Sequence, residues 1–201
     1  MGILKTFPER SGIGGAREFS HHRTVIVEDD SMRVSSWHIG IAAEAFAAGL
    51  FARYGYKVLV QYGANQPEYD LLVEKDDESM KVSVKGSQDG AWGLTQSFKK
   101  GKTYSEAADI WLQRHGKRTV LCLVQFQNVE MTEMPRVYLA TPAEIAGVLK
   151  KSRNGHGETV LYESYSYKSG VGAGTTDELP LDWRFSENRI DELLAEISKG
   201  C

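Results

Sequence analysis

The chain predicts an α/β fold, a mixed central sheet flanked by helices. Three observations carry that expectation. Helical and strand periodicities alternate from residue 37 onward, in the order helix, three strands, helix, strand, strand, helix. The run RTVLCLVQF is apolar on both faces, as a strand covered from above and below must be. Two of the helical segments open with Thr and place Glu three residues later, the spacing of a capping box.

Residues 1–36 read as an N-terminal extension. SGIGG and the polar clusters HHR and EDDS bracket one β-prone run, TVIVE, with no helical period. WHIGIAAEAFAAGLFARYGY then makes a long helix over residues 37–54, capped by Ser35 or Ser36 and stopped at Gly55. YKVLVQY (56–62) is a strand, followed by a turn at GANQP. YDLLVEK and MKVSVKG are two further strands joined through DDES. The stretch from SQDGAWGL to FKKGK reads as loop. TYSEAADIWLQRHG is a helix opened by Thr103 and Glu106, and RTVLCLVQF is the central strand. After the strand RVYLA, the helix TPAEIAGVLKKS is announced by Thr141 at the cap, Pro142 in the first turn and Glu144 closing the box. These elements define a core over residues 37–150. Residues 151–201 form a C-terminal extension. Its loop KSGVGAGTTDELP is flexible in composition, and its last helix, SENRIDELLAEISKG, packs the stripe Ile190, Leu193, Leu194 and Ile197 on the core.

The net charge of −3 argues against indiscriminate coating of nucleic acid or anionic membrane, although a local basic cleft is compatible with it. Two cysteines, Cys122 and Cys201, make neither a disulfide framework nor a zinc pattern. No apolar stretch reaches spanning length and the first residues lack a secretory hydrophobic segment, so no membrane contact and a cytoplasmic location are expected.

Three residues stand out chemically. Glu44 is the one carboxylate in a helix that is apolar almost all round, where a bare charge costs several kcal/mol. It either pairs at the helix margin, for example with Arg53, or serves a site. Asp70 heads a strand otherwise made of Leu, Leu and Val, although aspartate is a poor strand former. It either closes the preceding turn or binds something. Lys85 ends KVSVKG and shares its face with Lys81 and Ser83, opposite Val82 and Val84. That face is either solvated or functional. If the three meet, two carboxylates and substrate phosphate oxygens suit Mg²⁺, with Mn²⁺ as a substitute, and a lysine beside them can orient water or neutralise phosphate.

On IAAEAFAAGLFARYGYKVLVQYGANQPEYDLLVE followed by KVSVKGSQ, the chain resembles the PD-(D/E)XK nuclease superfamily over roughly residues 37–150. It is also similar to uncharacterised members with a Trp after the lysine, like Trp92 in DGAW, and with a tail like RVYLATPAEIAGVL. The resemblance implies a restriction-endonuclease-like αβββαβ core. It implies a Mg²⁺-dependent DNA endonuclease that hydrolyses phosphodiesters through a metal-activated water. Glu44 is then the helix acid and a metal ligand, Asp70 the principal metal ligand and Lys85 the catalytic lysine. Ser83 departs from the pattern, because it stands where the family usually carries Glu, Asp or Gln. Some members with a Ser-x-Lys motif recruit an acid from the next helix, which makes Glu106 the candidate third ligand, with Gln88 and Asp89 behind it. Pro67 is not adjacent to Asp70, a minor deviation. Lys99, Lys100 and Lys102 follow the motif in a loop and are candidates for phosphate contact. DNA is the expected partner, and a homodimer is allowed because two strands need two cuts. The rival expectations are a nuclease fold without turnover, acting as a nucleic-acid-binding or interaction module, and an α/β protein whose charges are only structural. Tyr162, Tyr165 and Tyr167 in LYESYSYKSG offer rings for base stacking or simply an exposed strand face.

Overall fold

The computed structural model describes residues 34–61 and 69–199. The expected extension up to Arg33 with its TVIVE run, the turn at GANQP, Pro67 and Cys201 lie outside the described residues.

Helix α1 (Ser36–Arg53) is capped by Ser35, whose hydroxyl accepts the His38 N–H at 3.4 Å. The His38 ring nitrogen Nδ1 lies 2.8 Å from that hydroxyl, so a histidine completes the box that a glutamate usually closes. The helix stops before Gly55, whose φ of +85° favours glycine. Strands β1 (Lys57–Val60), β2 (Leu71–Lys75) and β3 (Glu78–Ser87) follow as an antiparallel meander. The β2–β3 hairpin is tighter than the sequence suggests. Lys75 pairs with Glu78, so Glu78 and Ser79 belong to β3, and Asp76 and Asp77 alone make the turn. Asp76 takes φ +54°, a conformation that aspartate tolerates better than most side chains.

Residues 87–102 are not all loop. Ala91–Gly93 form β4, and residues 96–98 make one 3₁₀ turn. Helix α2 (Tyr104–Leu112) carries the expected Thr103–Glu106 box and crosses over to β5 (Thr119–Gln125), which runs parallel to β3. Strand β6 (Arg136–Ala140) returns antiparallel. The central sheet is thus five-stranded and mixed, in the order β1-β2-β3-β5-β6. Helix α3 (Pro142–Gly155) has the predicted Thr141–Glu144 box and kinks at Ser152–Asn154, where the Asp177 carboxylate accepts the Arg153 N–H at 3.2 Å. Strand β7 (Val160–Tyr162) pairs with β4. Strands β8 (Ser164–Ser166) and β9 (Thr176–Glu178) form a hairpin across what reads in sequence as a flexible loop. Helix α4 (Glu187–Lys199) ends the fold.

The sheet is covered on both faces. On one, Ala43, Ala47 and Phe51 of α1 and the α4 stripe Ile190, Leu193, Leu194 and Ile197 bury Val82, Val84, Val120 and Cys122. On the other, Ala108 and Trp111 of α2 and Ile145 and Leu149 of α3 bury Leu121, Leu123 and Tyr138. This explains why every residue of β5 is buried. Arg189 fastens α4 to α3. Its guanidinium gives 2.7 Å bonds to both Glu144 oxygens and a 3.2 Å bond to the Leu139 carbonyl, which satisfies a buried cation with charge-assisted hydrogen bonds. Among the described residues no helix is long and apolar enough to cross a membrane.

Candidate active site

Strand β3 outruns β2. The two pair only from Glu78 to Val82, whereas β5 stays beside β3 as far as Ser87. Asp70 sits at this fork. Its N–H donates to the Val82 carbonyl and its carbonyl accepts the Gln61 N–H, both at 2.9 Å. Beyond Val82, among the described residues, that edge of β3 has no strand beside it, and the Val84 N–H needs an acceptor. Asp70 Oδ2 supplies one at 2.6 Å, a short charge-assisted bond. The same oxygen accepts a long 3.5 Å bond from the Ser83 hydroxyl and lies 4.0 Å from Lys85 Nζ.

Glu44 reaches this point from α1, and Gly86 lets it. A Cβ on Gly86 would stand 2.7 Å from the Ile39 carbonyl oxygen and 2.9 Å from the Ala43 methyl, so only glycine allows α1 to lie this close to β3. Partial burial first, and then the like charge of Asp70, push the Glu44 carboxyl above the usual carboxylate range, against a smaller downward pull from Lys85. The three side chains therefore share one electrostatic neighbourhood. Arg53, the alternative partner for Glu44, lines a separate hollow with Tyr54 and Arg184.

The cleft that results has a volume of about 360 Å³. Ser36, Gly40 and Glu44 of α1 form one side, Asp70, Val84, Lys85 and Gly86 the floor, and Ala91–Leu94 the other side. Trp92 pins that last wall to the floor through a 2.9 Å bond from its indole N–H to the Lys85 carbonyl. Gly86 and the β4 wall are what sequence reasoning missed. A glycine inside a strand is the signal that could have found the first, because it marks close approach of another backbone.

The remaining sequence candidates lie elsewhere. Glu106 does not join Glu44 and Asp70. Its Oε2 accepts from the Thr103 N–H at 2.7 Å and the Thr103 hydroxyl at 2.8 Å, and it lines another cleft with Lys99, Lys102 and His156. The capping box accounts for it fully; these two bonds, with Lys102 and Lys99 nearby, hold its carboxyl below the usual range against a weaker opposing effect of burial. Lys99 and Lys102 border that same cleft, with Lys99 Nζ bonded to the Lys102 carbonyl at 2.7 Å and resting 4.4 Å over the Tyr104 ring, and Lys100 is exposed. Asp89 accepts the Ser87 hydroxyl at 2.9 Å, and Gln88 donates to the Val34 carbonyl at 3.2 Å.

Among the described residues no three His, Cys, Asp or Glu side chains are grouped to hold a metal ion. Glu44 and Asp70 are two. That donor set fits Mg²⁺, which uses one or two carboxylates together with waters and substrate phosphates. The smaller part of the upward push on Glu44, which comes from the like charge of Asp70 after burial, is the kind of strain that a cation relieves.

No family model and no solved structure matches the chain. A UPF0102 protein of Rhodopseudomonas palustris is 27% identical to it over 119 residues, which span 55% of this chain and 90% of the relative.

Proposed function

We propose that the chain is a Mg²⁺-dependent DNA endonuclease whose active site is the cleft at the fork of the sheet. The observation that carries this reading is the convergence of Glu44 from α1, Asp70 from just before β2 and Lys85 from β3. The distant likeness to a UPF0102 protein supports it, since that family belongs to the PD-(D/E)XK nuclease-like superfamily. Asp70 and Glu44 would hold the divalent ion. When bound, such an ion lowers the pKa of water and neutralises charge building on phosphorus. The chain's own residues do the rest. The Val84 N–H commits Asp70 Oδ2 to the protein and so orients the carboxylate. Ser83, in place of a ligating acid, adds its hydroxyl to the same oxygen. Lys85, whose side chain is 45% exposed, brings a positive charge to bear on the scissile phosphate or orients the attacking water.

Plasmid cleavage in Mg²⁺ or Mn²⁺ tests this, with Asp70→Ala and Lys85→Ala beside the wild type. Loss of cleavage in both variants is expected; equal activity in all three removes these residues from the mechanism. A second reading, a nuclease fold that binds nucleic acid without turnover, is favoured by Ser83 and by the lack, among the described residues, of a third carboxylate in the cleft. Calorimetric titration with Mn²⁺ separates them. Saturable heat that disappears in Asp70→Ala supports the enzyme, and its absence in the wild type supports the binding module.

A further inference from the structure

The wall of the cleft carries an aromatic ladder that the hydrolytic residues leave unused. Strand β4 forms that wall, and β7 pairs with it so that Ala91 lies opposite Tyr162 and Trp92 opposite Leu161. Directly opposed residues of an antiparallel pair point to the same face, and neighbours along a strand alternate. Trp92 and Leu161 take the inner face, at 3% and 1% exposure. Ala91 and Tyr162 therefore share the outer face, where Ala91 borders the cleft. The Tyr165 ring stacks on Tyr162 with centroids 4.4 Å apart and planes 22° from parallel, and Tyr167 meets Tyr165 edge-on at 4.8 Å. The Tyr167 hydroxyl is held by Asp177 at 2.9 Å. Despite this order Tyr165 is 43% exposed, so the ladder presents aromatic surface to solvent.

Of the acidic side chains nearby, which would repel a phosphate backbone if bare, Glu163, Asp177 and Glu158 are engaged, and the exposed Glu178 accepts a long 3.5 Å bond from the Ser164 hydroxyl. Glu163 takes two bonds from Arg136 at 2.7 and 2.8 Å and one from Tyr138 at 2.6 Å. Asp177 accepts from Tyr167 and from the Arg153 N–H, and Glu158 pairs with Arg153 at 3.4 Å. Of the three rings Tyr165 is the exposed one, with Tyr162 and Tyr167 half-buried against it.

We propose that Tyr162 and Tyr165 are a base-stacking subsite, and that the cleft takes DNA with unpaired nucleotides in preference to intact duplex. This rests on the nuclease reading above and narrows its substrate class. In a duplex the faces of each base are covered by its neighbours, so a ladder of rings beside the cleft has nothing to grip. In a single strand the bases are free to stack on aromatic side chains, whatever their sequence.

The test is fluorescence anisotropy on the full chain in EDTA, which reads binding without hydrolysis. The probes are a labelled single strand of roughly 20 nucleotides, matching a site of about 4–16 nucleotides, and the corresponding blunt duplex. The single strand is expected to bind about tenfold more tightly or better. Tyr165→Ala and Tyr165→Leu are expected to lose about tenfold for the single strand and little for the duplex, whereas Tyr165→Phe stays within about twofold, as one lost stack predicts. The leucine variant keeps apolar packing, so a loss shared by Ala and Leu and absent in Phe reports the ring and not the fold. Equal affinity for duplex and single strand, or a Tyr165→Leu variant that binds like the wild type, overturns the subsite. Asp70-dependent cleavage of duplex together with that result leaves the nuclease reading standing and removes only this narrowing of it. Tyr165-dependent single-strand binding without any cleavage upholds the subsite and overturns the nuclease reading instead.

Discussion

The two halves of β3 obey different rules. From Glu78 to Val82 the strand pairs with β2, with β5 joining on its other side from Lys81, and Met80 and Val82 are fully buried. From Ser83 to Ser87 it has, among the described residues, β5 alone on the ladder. There the partners are a carboxylate for the Val84 N–H, an indole for the Lys85 carbonyl, and a helix backbone pressed against Gly86. The paired half is closed to chemistry because its polar groups are spent on neighbouring strands. The unpaired half recruits polar side chains to satisfy its edge, and the same departure of β2 opens the space in which they face a ligand.

Substitutions in the two halves should therefore fail in different assays. The largest expected effect is on turnover. Asp70→Asn keeps an oxygen for the Val84 N–H, so urea melts should move by no more than about 1 kcal/mol. Metal-dependent cleavage should fall at least about a hundredfold as the charge is lost. A variant that keeps both stability and cleavage would sink the proposed role of Asp70. In the paired half, Val82→Ala should cost about 2–3 kcal/mol of stability while activity per folded molecule stays unchanged. Gly86→Ala lies between the two cases. The added methyl collides with the Ile39 carbonyl and Ala43, for about 1–3 kcal/mol of overpacking, and it displaces the helix that carries Glu44. It alone should lose stability and turnover together; a Gly86→Ala enzyme with normal turnover shows that α1 need not sit so close.

A pH experiment sharpens the contrast on the far side of the sheet. Burial works to raise the Glu163 carboxyl, but hydrogen bonds from Arg136 and Tyr138 outweigh it and hold the group below the usual range. A depressed folded-state pKa stabilises above the ordinary carboxyl value, and the stabilisation is lost as pH falls through the lowered value. Glu163→Gln should thus lower stability by about 1–2 kcal/mol at neutral pH and flatten the acid limb of the stability curve. Parallel acid-unfolding curves for variant and wild type would remove Glu163 from that limb. The smallest effect belongs to Glu106→Ala, which should lower the melting temperature slightly through the lost capping box and leave cleavage untouched. Lost cleavage there would return Glu106 to the site.

How much of this was legible in sequence depends on the range of the forces. Helix starts rest on contacts three residues apart, so Thr103 and Thr141 cap where their spacing says, and Ser35 is the one of the two expected serines that caps α1. The β2–β3 hairpin was visible, although the paired length was not, because Glu78 and Ser79 look like turn residues until Lys75 and Glu74 pair with them. Strands β4, β7, β8 and β9 are three residues each, too short for a period to register, and β4 exists through its distant partner β7. Within the site, Glu44, Asp70 and Lys85 were conspicuous as charges among apolar neighbours. Glu106 misled because a cap and a metal ligand call for the same carboxylate.

By itself the sequence determined the alternation of helix and strand, the helix caps and the stripe of α4, since each follows from neighbours within a turn or a pleat. Only the tertiary structure decided where β2 leaves β3, and so which backbone groups lack a strand and which side chains gather to replace it. The reason is physical: an unpaired edge is a property of two strands at once, and no stretch of one chain segment encodes where its partner stops.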